Sequence, residues 1–464
     1  MFKSIFSNSS GILVSRIFGL IRDMFMASTL GVSIYTDIFF VAFQLPNLFR
    51  RIFGEGAFSQ AFIPSFVRSR KKILFSASIF LKLISAVGFL TVLVFIFDSE
   101  VTKMIATGFS DENIEKATIF VKINFLYLIA IFTVTFLSAI LHYREHFATT
   151  SFSTALLNIS MILALMIGNG MSDEKIVYLL SFAVVLGGIL QVISHVFAIL
   201  FLKLNRVAFG GFSKWKRFDE VADDSQNFFT KFSLAIWGGA TAQISSFLDT
   251  LLASFLITGS ISYLYFANRV FQFPLAIFGI AITMAIFPKV AKYLKDVSGE
   301  SKAEEILKKA FWLLAYLLSS ATLVGIVWSE EIVSLLFERG EFSEIDRIET
   351  AKVLTFYLFG LAIFGVAKLF SLWLYAKEKI GKSAKIATYS LFIKIVVALA
   401  LLEDFGASGL AFSTTISSFA LFIFTVHEFG WNRFRKILKS KLLFLLFPLL
   451  GIFYFLNVAI KLNL

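Results

Sequence analysis

Residues 15–66 read SRIFGLIRDMFMASTLGVSIYTDIFFVAFQLPNLFRRIFGEGAFSQAFIPSF. Most of the stretch is as apolar as a membrane helix. It nevertheless carries Arg16, Arg22, Asp23, Asp37, Arg50, Arg51 and Glu55. A charge at membrane depth is expensive, so it normally faces a bundle interior or a wetted cavity and marks a transport path. The stretch therefore points to a polytopic membrane protein with work to do inside the bilayer.

Composition agrees. Of 464 residues, 58% are hydrophobic and only 16% charged, and mean hydropathy is +0.83. So few charges cannot cover a soluble chain of this size. Recurrent apolar runs of about 20 residues are membrane-helix length. Helices are expected near 5–30, 34–53, 74–97, 117–141, 147–168, 177–202, 227–256, 261–288, 306–328, 350–376, 383–402, 407–429 and 440–460. The expected class is an all-α polytopic membrane protein with about thirteen spans. The 59 Phe are read as lipid-facing filler rather than an aromatic site. Without Cys there is neither a disulfide framework nor thiol chemistry.

The net charge of +12 sorts by loop, which argues for topology and against nucleic acid. One set of loops holds Arg68, Arg70, Lys71 and Lys72, then Arg144, then Lys203 to Arg217, then Lys289 to Lys302, Lys377 to Lys385, and Arg433 to Lys439. The alternate loops are acidic or nearly uncharged, among them Asp98, Glu100, Asp173, Glu330, Glu338, Glu403 and Thr258-Gly259-Ser260. The basic set is expected in the cytoplasm, with the N-terminus inside and, after thirteen spans, the C-terminus outside. Arg16, Arg22 and Asp23 interrupt the first apolar run, which reads as a retained helix rather than a signal peptide.

The chain repeats. Phe43-Gln44-Leu45-Pro46 matches Phe271-Gln272-Phe273-Pro274, Ile52-Phe53-Gly54 matches Ile277-Phe278-Gly279, and Phe62-Ile63-Pro64 echoes Ile286-Phe287-Pro288, at offsets of 228, 225 and 224. Each unit holds six helices and both start on the same side, so the repeats are parallel. The expected layout is an N-lobe at 1–202, a basic linker at 203–226, a C-lobe at 227–431 and an extra helix at 432–464. Pro46 and Pro274 occupy matching positions. Matched interruptions point to a transport path or hinge, and packing kinks are the competing account.

Each charge has two readings. Arg50, Arg51, Arg68 and Arg70 sit toward the basic side, where snorkelling anchors are ordinary; Arg50 also neighbours the Pro46 interruption, as Arg269 neighbours Pro274. Arg16 and Arg22 lie deeper and point about 120° apart on their helix. Asp23 or Asp37 either neutralises one of them structurally or takes part in gating. Arg269, in Tyr265-Phe266-Ala267-Asn268-Arg269, has no acid nearby in sequence, which favours an anionic ligand. Asp249 pairs with it or with a cation. Lys368 and Lys394 stand within expected helices, either in a lumen or in tertiary pairs. His142-Tyr143-Arg144-Glu145-His146 matches an H-x-x-E-H zinc pattern, but a short cytoplasmic loop supplies no substrate cleft, so no metal is expected. His195 and His427 are isolated. With no ATP-binding motif and no catalytic constellation, a transporter without a cofactor is expected, driven by a gradient or the membrane potential.

Ser15-Arg16, Gly19, Arg22-Asp23, Thr36-Asp37, Pro46 to Arg51 and Glu55 to Phe62 together resemble the MurJ/MviN lipid II flippases, and Tyr265 to Pro274 extends the resemblance. It implies the fold of the MOP exporters, two six-helix lobes around a central cationic cavity. It implies export of lipid II, the undecaprenyl-diphosphate-linked peptidoglycan precursor, across the bacterial cytoplasmic membrane by alternating access. It places the cavity arginines at Arg16, Arg22, Arg50 and Arg269, with Asp37 as their associated acid and Glu55 near the cytoplasmic gate. The family commonly has fourteen helices, and this chain is expected to carry one helix beyond twelve. Some members bind sodium between helices 7 and 11. Asp249 could serve here, but Lys379 stands where an acid is expected, so a sodium site is not expected. Lipid II and membrane lipids are the expected partners of a chain working as a monomer. The runner-up function is export of another polyprenyl-diphosphate glycolipid or of drugs.

Overall fold

The computed structural model describes residues 2–54, 57–295, 299–439 and 451. Glu55 and the expected helix at 440–460 lie outside the described residues.

Local signals explain the first helices. α1 (Phe2–Leu30) stops where Gly31 takes φ +57. Ser33 then caps α2 (Ile34–Phe49) by accepting from the Thr36 N–H, which satisfies a donor the first helical turn leaves open. Pro46 lies inside α2, and a π-helical turn, Arg50–Gly54, follows. The chain continues as α3 (Ala57–Arg68), α4 (Lys72–Ile96), α5 (Asp98–Ile105), α6 (Asp111–Phe125), α7 (Tyr127–Tyr143), α8 (Ala148–Gly168), α9 (Asp173–Phe201) and α10 (Asn205–Phe209). A 3₁₀ segment, Phe212–Val221, leads into α11 (Ala222–Ala253) and α12 (Ser260–Pro274). A second π-helical turn, Leu275–Ile280, starts directly after Pro274. Then come α13 (Ala281–Tyr293), α14 (Glu300–Val327), α15 (Ser329–Phe337), α16 (Glu344–Leu358), α17 (Leu361–Ala376), α18 (Ile380–Phe429) and α19 (Trp431–Leu438). Both sequence repeats thus place a π turn just beyond the matched proline. A proline withholds an N–H from its helix, and a π turn is one way to re-register the ladder around that gap.

Helices occupy each of the twelve expected positions up to residue 429. Among the described residues, seven helical stretches are long and apolar enough to cross a membrane, or eight counting α16 with α17, which bend by 40° at their junction. The count of thirteen is therefore not reached on this measure. α2 is only 16 residues long, and α1 and α11 carry charged residues along their length. α18 contains two expected spans. Its 50 residues would reach about 75 Å as one rod, far more than a bilayer core of about 30 Å. Gly406, at φ +53 and ψ −133, breaks it between them. At the α16–α17 bend, freed carbonyls are taken up by hydroxyls: Thr415 donates to the Phe356 oxygen at 2.6 Å and Thr322 to the Leu358 oxygen at 3.4 Å.

The chain forms two compact units, Met1–Gly259 with Gly340–Phe342, and Ser260–Arg339 with Ser343–Leu464. α11, the first helix of the second sequence repeat, packs in the first unit against α3. That contact is aromatic. Phe58 and Phe62 stack at 5.2 Å, and Phe228 meets both edge-on at 5.5 and 6.2 Å. Phe66, Phe75 and Phe136 join them, and all six rings are fully buried. Phenylalanine here is core as well as lipid-facing filler, because edge-to-face rings fill a helix junction densely.

In the first unit the α15–α16 turn lies against the end of α1. The Glu341 N–H donates to the Ser28 carbonyl at 3.0 Å. Gly340 has φ +60, and a Cβ there would fall 2.1 Å from the Ser28 oxygen. Gly340→Ala is expected to cost more than the about 1–2 kcal/mol of left-handed backbone alone, because backbone cannot yield as a side chain can. A melting curve of the purified variant in detergent should show the loss, and an unchanged midpoint would refute it.

Candidate functional site

Arg22 and Asp23 form the best-defined constellation. Both are buried in α1. The Arg22 Nε and one terminal nitrogen donate to Asp23 Oδ1 at 3.0 and 2.6 Å, and the other terminal nitrogen donates to Asn158 Oδ1 at 3.0 Å. The Asn158 amide also donates to the Ser15 carbonyl at 3.1 Å, and the Ser15 hydroxyl to the Ser151 carbonyl at 2.9 Å. α8 thus clamps the charged part of α1. Of the two readings for Asp23, the geometry displays the charge pair. Asn158 carried no sequence signal, since nothing in α8 announces which α1 residue it meets. Arg16, six residues earlier, is exposed. α1 therefore separates its two arginines, one locked and one available.

Asp37 is 2% exposed, in the first turn of α2. Its Oδ2 accepts the Gly259 N–H at 2.7 Å, a charge-assisted bond. The uncharged Thr258-Gly259-Ser260 loop is held by this carboxylate. The neighbouring Thr36 hydroxyl donates to the Gly31 carbonyl at 3.1 Å. Arg50 opens the first π turn, half-buried, with its Nε and one terminal nitrogen on Asn47 Oδ1 at 3.3 and 3.1 Å. Arg51 follows it, also half-buried. A π turn rotates successive side chains off the α-helical register, which is one reason such turns recur at functional sites.

In the second unit, Arg269 is half-buried in α12. Its Cζ lies 4.5 Å from the Tyr265 ring centroid, and one terminal nitrogen donates to the Tyr265 hydroxyl at 2.5 Å. Tyr265, one turn before Arg269, is a positioning residue that the sequence displayed at helical spacing without announcing its role. The arrangement holds a permanently charged planar fork near Pro274 and the second π turn. Asp249 is half-buried in α11. Lys379 stands at the start of α18, and its neighbour Lys377 pairs with Glu300 at 2.6 Å. Lys394 is buried, and Lys368 lies with Nζ 4.8 Å from the Phe364 centroid. His195 is a core residue: one ring nitrogen is 2.8 Å from the Gln191 carbonyl, the other 2.9 Å from the Ser138 hydroxyl. Among the described residues no three His, Asp or Glu side chains gather as a metal site.

Comparison with known proteins connects these features. A family model described as lipid II flippase MurJ matches residues 26–462. A Helicobacter pylori protein (strain J99) named as a probable lipid II flippase MurJ is 43% identical over 424 residues, covering 89% of this chain and 92% of the relative. Its Aquifex aeolicus counterpart is 32% identical over 431 residues, covering 91% and 82%. Among solved structures, a lipid II flippase MurJ in an inward closed conformation superposes with a TM-score of 0.79 at 21% identity, covering 98% of both chains. An inward-facing multidrug resistance MATE transporter of the MOP superfamily gives 0.69 at 13% identity, covering 94% and 99%. At those identities the structures speak for the fold, which is the one MurJ and MATE transporters share. The family match over nearly the whole chain and the identity to curated relatives carry the rest: this multi-pass membrane protein belongs to the MurJ lipid II flippase family.

Proposed function

We propose that this protein flips lipid II from the cytoplasmic to the periplasmic leaflet by alternating access. The match to the flippase family across residues 26–462 carries the reading. The half-buried Arg50 and Arg269, with exposed Arg16, supply the chemistry: each is a planar cation suited to phosphate oxygens. Arg22 is the fourth arginine of the set, its charge balanced by Asp23. Asp37, Glu55 and Arg51 gate or balance these charges, and Pro46 and Pro274, each followed by a π turn, act as hinges. The N-lobe and C-lobe repeats at 1–202 and 227–431 are the two alternating halves, joined in sequence by the basic linker 203–226, with α11 staying packed on α3. The protein resides in the bacterial cytoplasmic membrane with its basic loops and N-terminus inside and its C-terminus in the periplasm, and it works as a monomer. Another polyprenyl-diphosphate glycolipid would satisfy the same diphosphate chemistry. Cationic drugs would not, because the site's fixed charges are arginines.

Moving a lipid with a negative diphosphate out of a negative interior is favoured by about 2.3 kcal/mol per uncompensated charge per 100 mV. With Lys379 where an acid would be needed, no sodium is required. In proteoliposomes containing lipid II, flipping should rise when an inside-negative potential is imposed and persist without sodium. Flipping of an unrelated polyprenyl-diphosphate glycolipid but not lipid II would favour the runner-up. Flipping that ignores potential and stops without sodium would overturn the coupling.

A further inference from the structure

The first repeat closes in a short basic and aromatic collar outside the helices already considered. Lys203, at φ +54, ends α9, and the Leu204 N–H returns to the Ile199 carbonyl at 2.8 Å. The chain then lies along α4 as α10 and the 3₁₀ segment. It lies close: a Cβ on Gly211 would sit 2.4 Å from the Ile73 oxygen. Phe212 stacks on Phe80 at 5.3 Å and anchors the segment, and Ala208 and Val221 are buried with it.

The outward face has the opposite chemistry. Lys203, Arg206, Lys214 and Lys216 are exposed, as is Arg70 in the turn before α4. Trp215 is 61% exposed, with Lys216 Nζ 5.7 Å from its ring. Glu220 is already committed. It accepts from Arg217 and Lys71, each at 2.7 Å, and these bonds, Arg217 first, pull its carboxyl down to about 2. Asp219 and Asp223 are exposed further along and Asp224 is half-buried, but among the described residues none of the four collar cations makes an ion pair with them. The adjoining last turns of α9 expose Phe197 and Phe201 by 70% and 77%, as a lipid-facing helix does. An exposed Trp beside them has the amphipathic ring that membrane–water interfaces select. The second repeat ends alike, in α19, where Phe434 and Ile437 are buried while Trp431, Arg435 and Lys436 are exposed.

We propose that the collar Lys203–Arg217 binds the headgroups of anionic phospholipids in the leaflet it borders. Attraction of about 1 kcal/mol per basic residue near such a surface is roughly a fivefold preference per cation, and it decays within a Debye length. Trp215 sets the depth of the segment, and the clustered cations select phosphate-rich anionic lipid over zwitterionic lipid. This goes beyond substrate transport, since the collar lies on the outside of the unit and uses none of the residues assigned to lipid II.

The chain has no cysteine, so Ser213→Cys offers a single labelling point on the exposed face. The labelled full-length protein, in phosphatidylcholine nanodiscs, is titrated with nitroxide-bearing phosphatidylglycerol or nitroxide-bearing phosphatidylcholine. Stronger quenching by phosphatidylglycerol is expected, falling roughly fivefold per replaced cation in Arg206→Gln, Lys214→Gln and Lys216→Gln combinations, and collapsing in high salt. The replaced side chains are exposed, so melting should not change. Equal quenching by the two lipids overturns the proposal and leaves the collar to a protein partner. A preference that survives the triple replacement, or that unlabelled lipid II abolishes, also overturns it, the latter by returning the collar to the substrate.

Discussion

Arg269→Ala is expected to leave normal amounts of folded protein in the membrane and to abolish rescue of a flippase-depleted bacterium. The side chain is half-buried and its described contacts are local, a 2.5 Å bond to the Tyr265 hydroxyl and a 4.5 Å approach to the same ring. Removing it frees the Tyr265 hydroxyl, which keeps its place on the helix through its ring. A hydrogen bond to a charged group contributes about 1.5–3 kcal/mol, so lipid II affinity should fall roughly ten- to a hundredfold. Arg269→Lys keeps the charge and loses the bidentate fork, so it should rescue in part. Arg269→Glu should be worst, because it sets like charge against the diphosphate in a site of low dielectric. Tyr265→Phe keeps the ring and removes the hydroxyl; it should weaken binding less than Arg269→Ala and leave folding unchanged. Full rescue by Arg269→Ala at normal protein levels would refute the anion-binding role.

Arg22→Ala should fail differently. The pair it forms with Asp23 has side chains only 8% and 3% exposed. Breaking a buried pair by removing one partner costs about 3–5 kcal/mol. Loss of folded protein is therefore expected before any loss of transport can be read. Replacing the whole pair by apolar residues of similar size, as in Arg22→Met with Asp23→Leu, is often nearly neutral. That double variant should restore membrane levels. Rescue by it would make the pair purely structural, while normal levels without rescue would place Arg22 in the substrate path. Normal levels of the single variant would show that the charge is not stranded as the geometry implies.

Much of this molecule was legible along the chain because a bilayer imposes a one-dimensional code. Helix positions up to residue 429 followed from apolar length, and the repeat from matched Pro46 and Pro274. The uncharged loop at Thr258-Gly259-Ser260 was legible as a break between two apolar runs. The costly charges also stood out, since any ionised side chain in such a run needs a reason. What sequence could not decide was which partner answers each charge. Arg22 and Arg16 look equivalent on paper; only packing of α8 on α1 sets one against Asp23 and Asn158 and leaves the other exposed. Asp37 stood out as a costly charge, but that it accepts the Gly259 N–H, 222 residues away, came only from the fold. α11 belongs to the second repeat by sequence but packs on α3 through Phe58, Phe62 and Phe228. The reason is physical: hydrophobic length and helix breaking are local properties of the chain, whereas neutralising a buried charge or filling a junction depends on residues brought near only by tertiary packing.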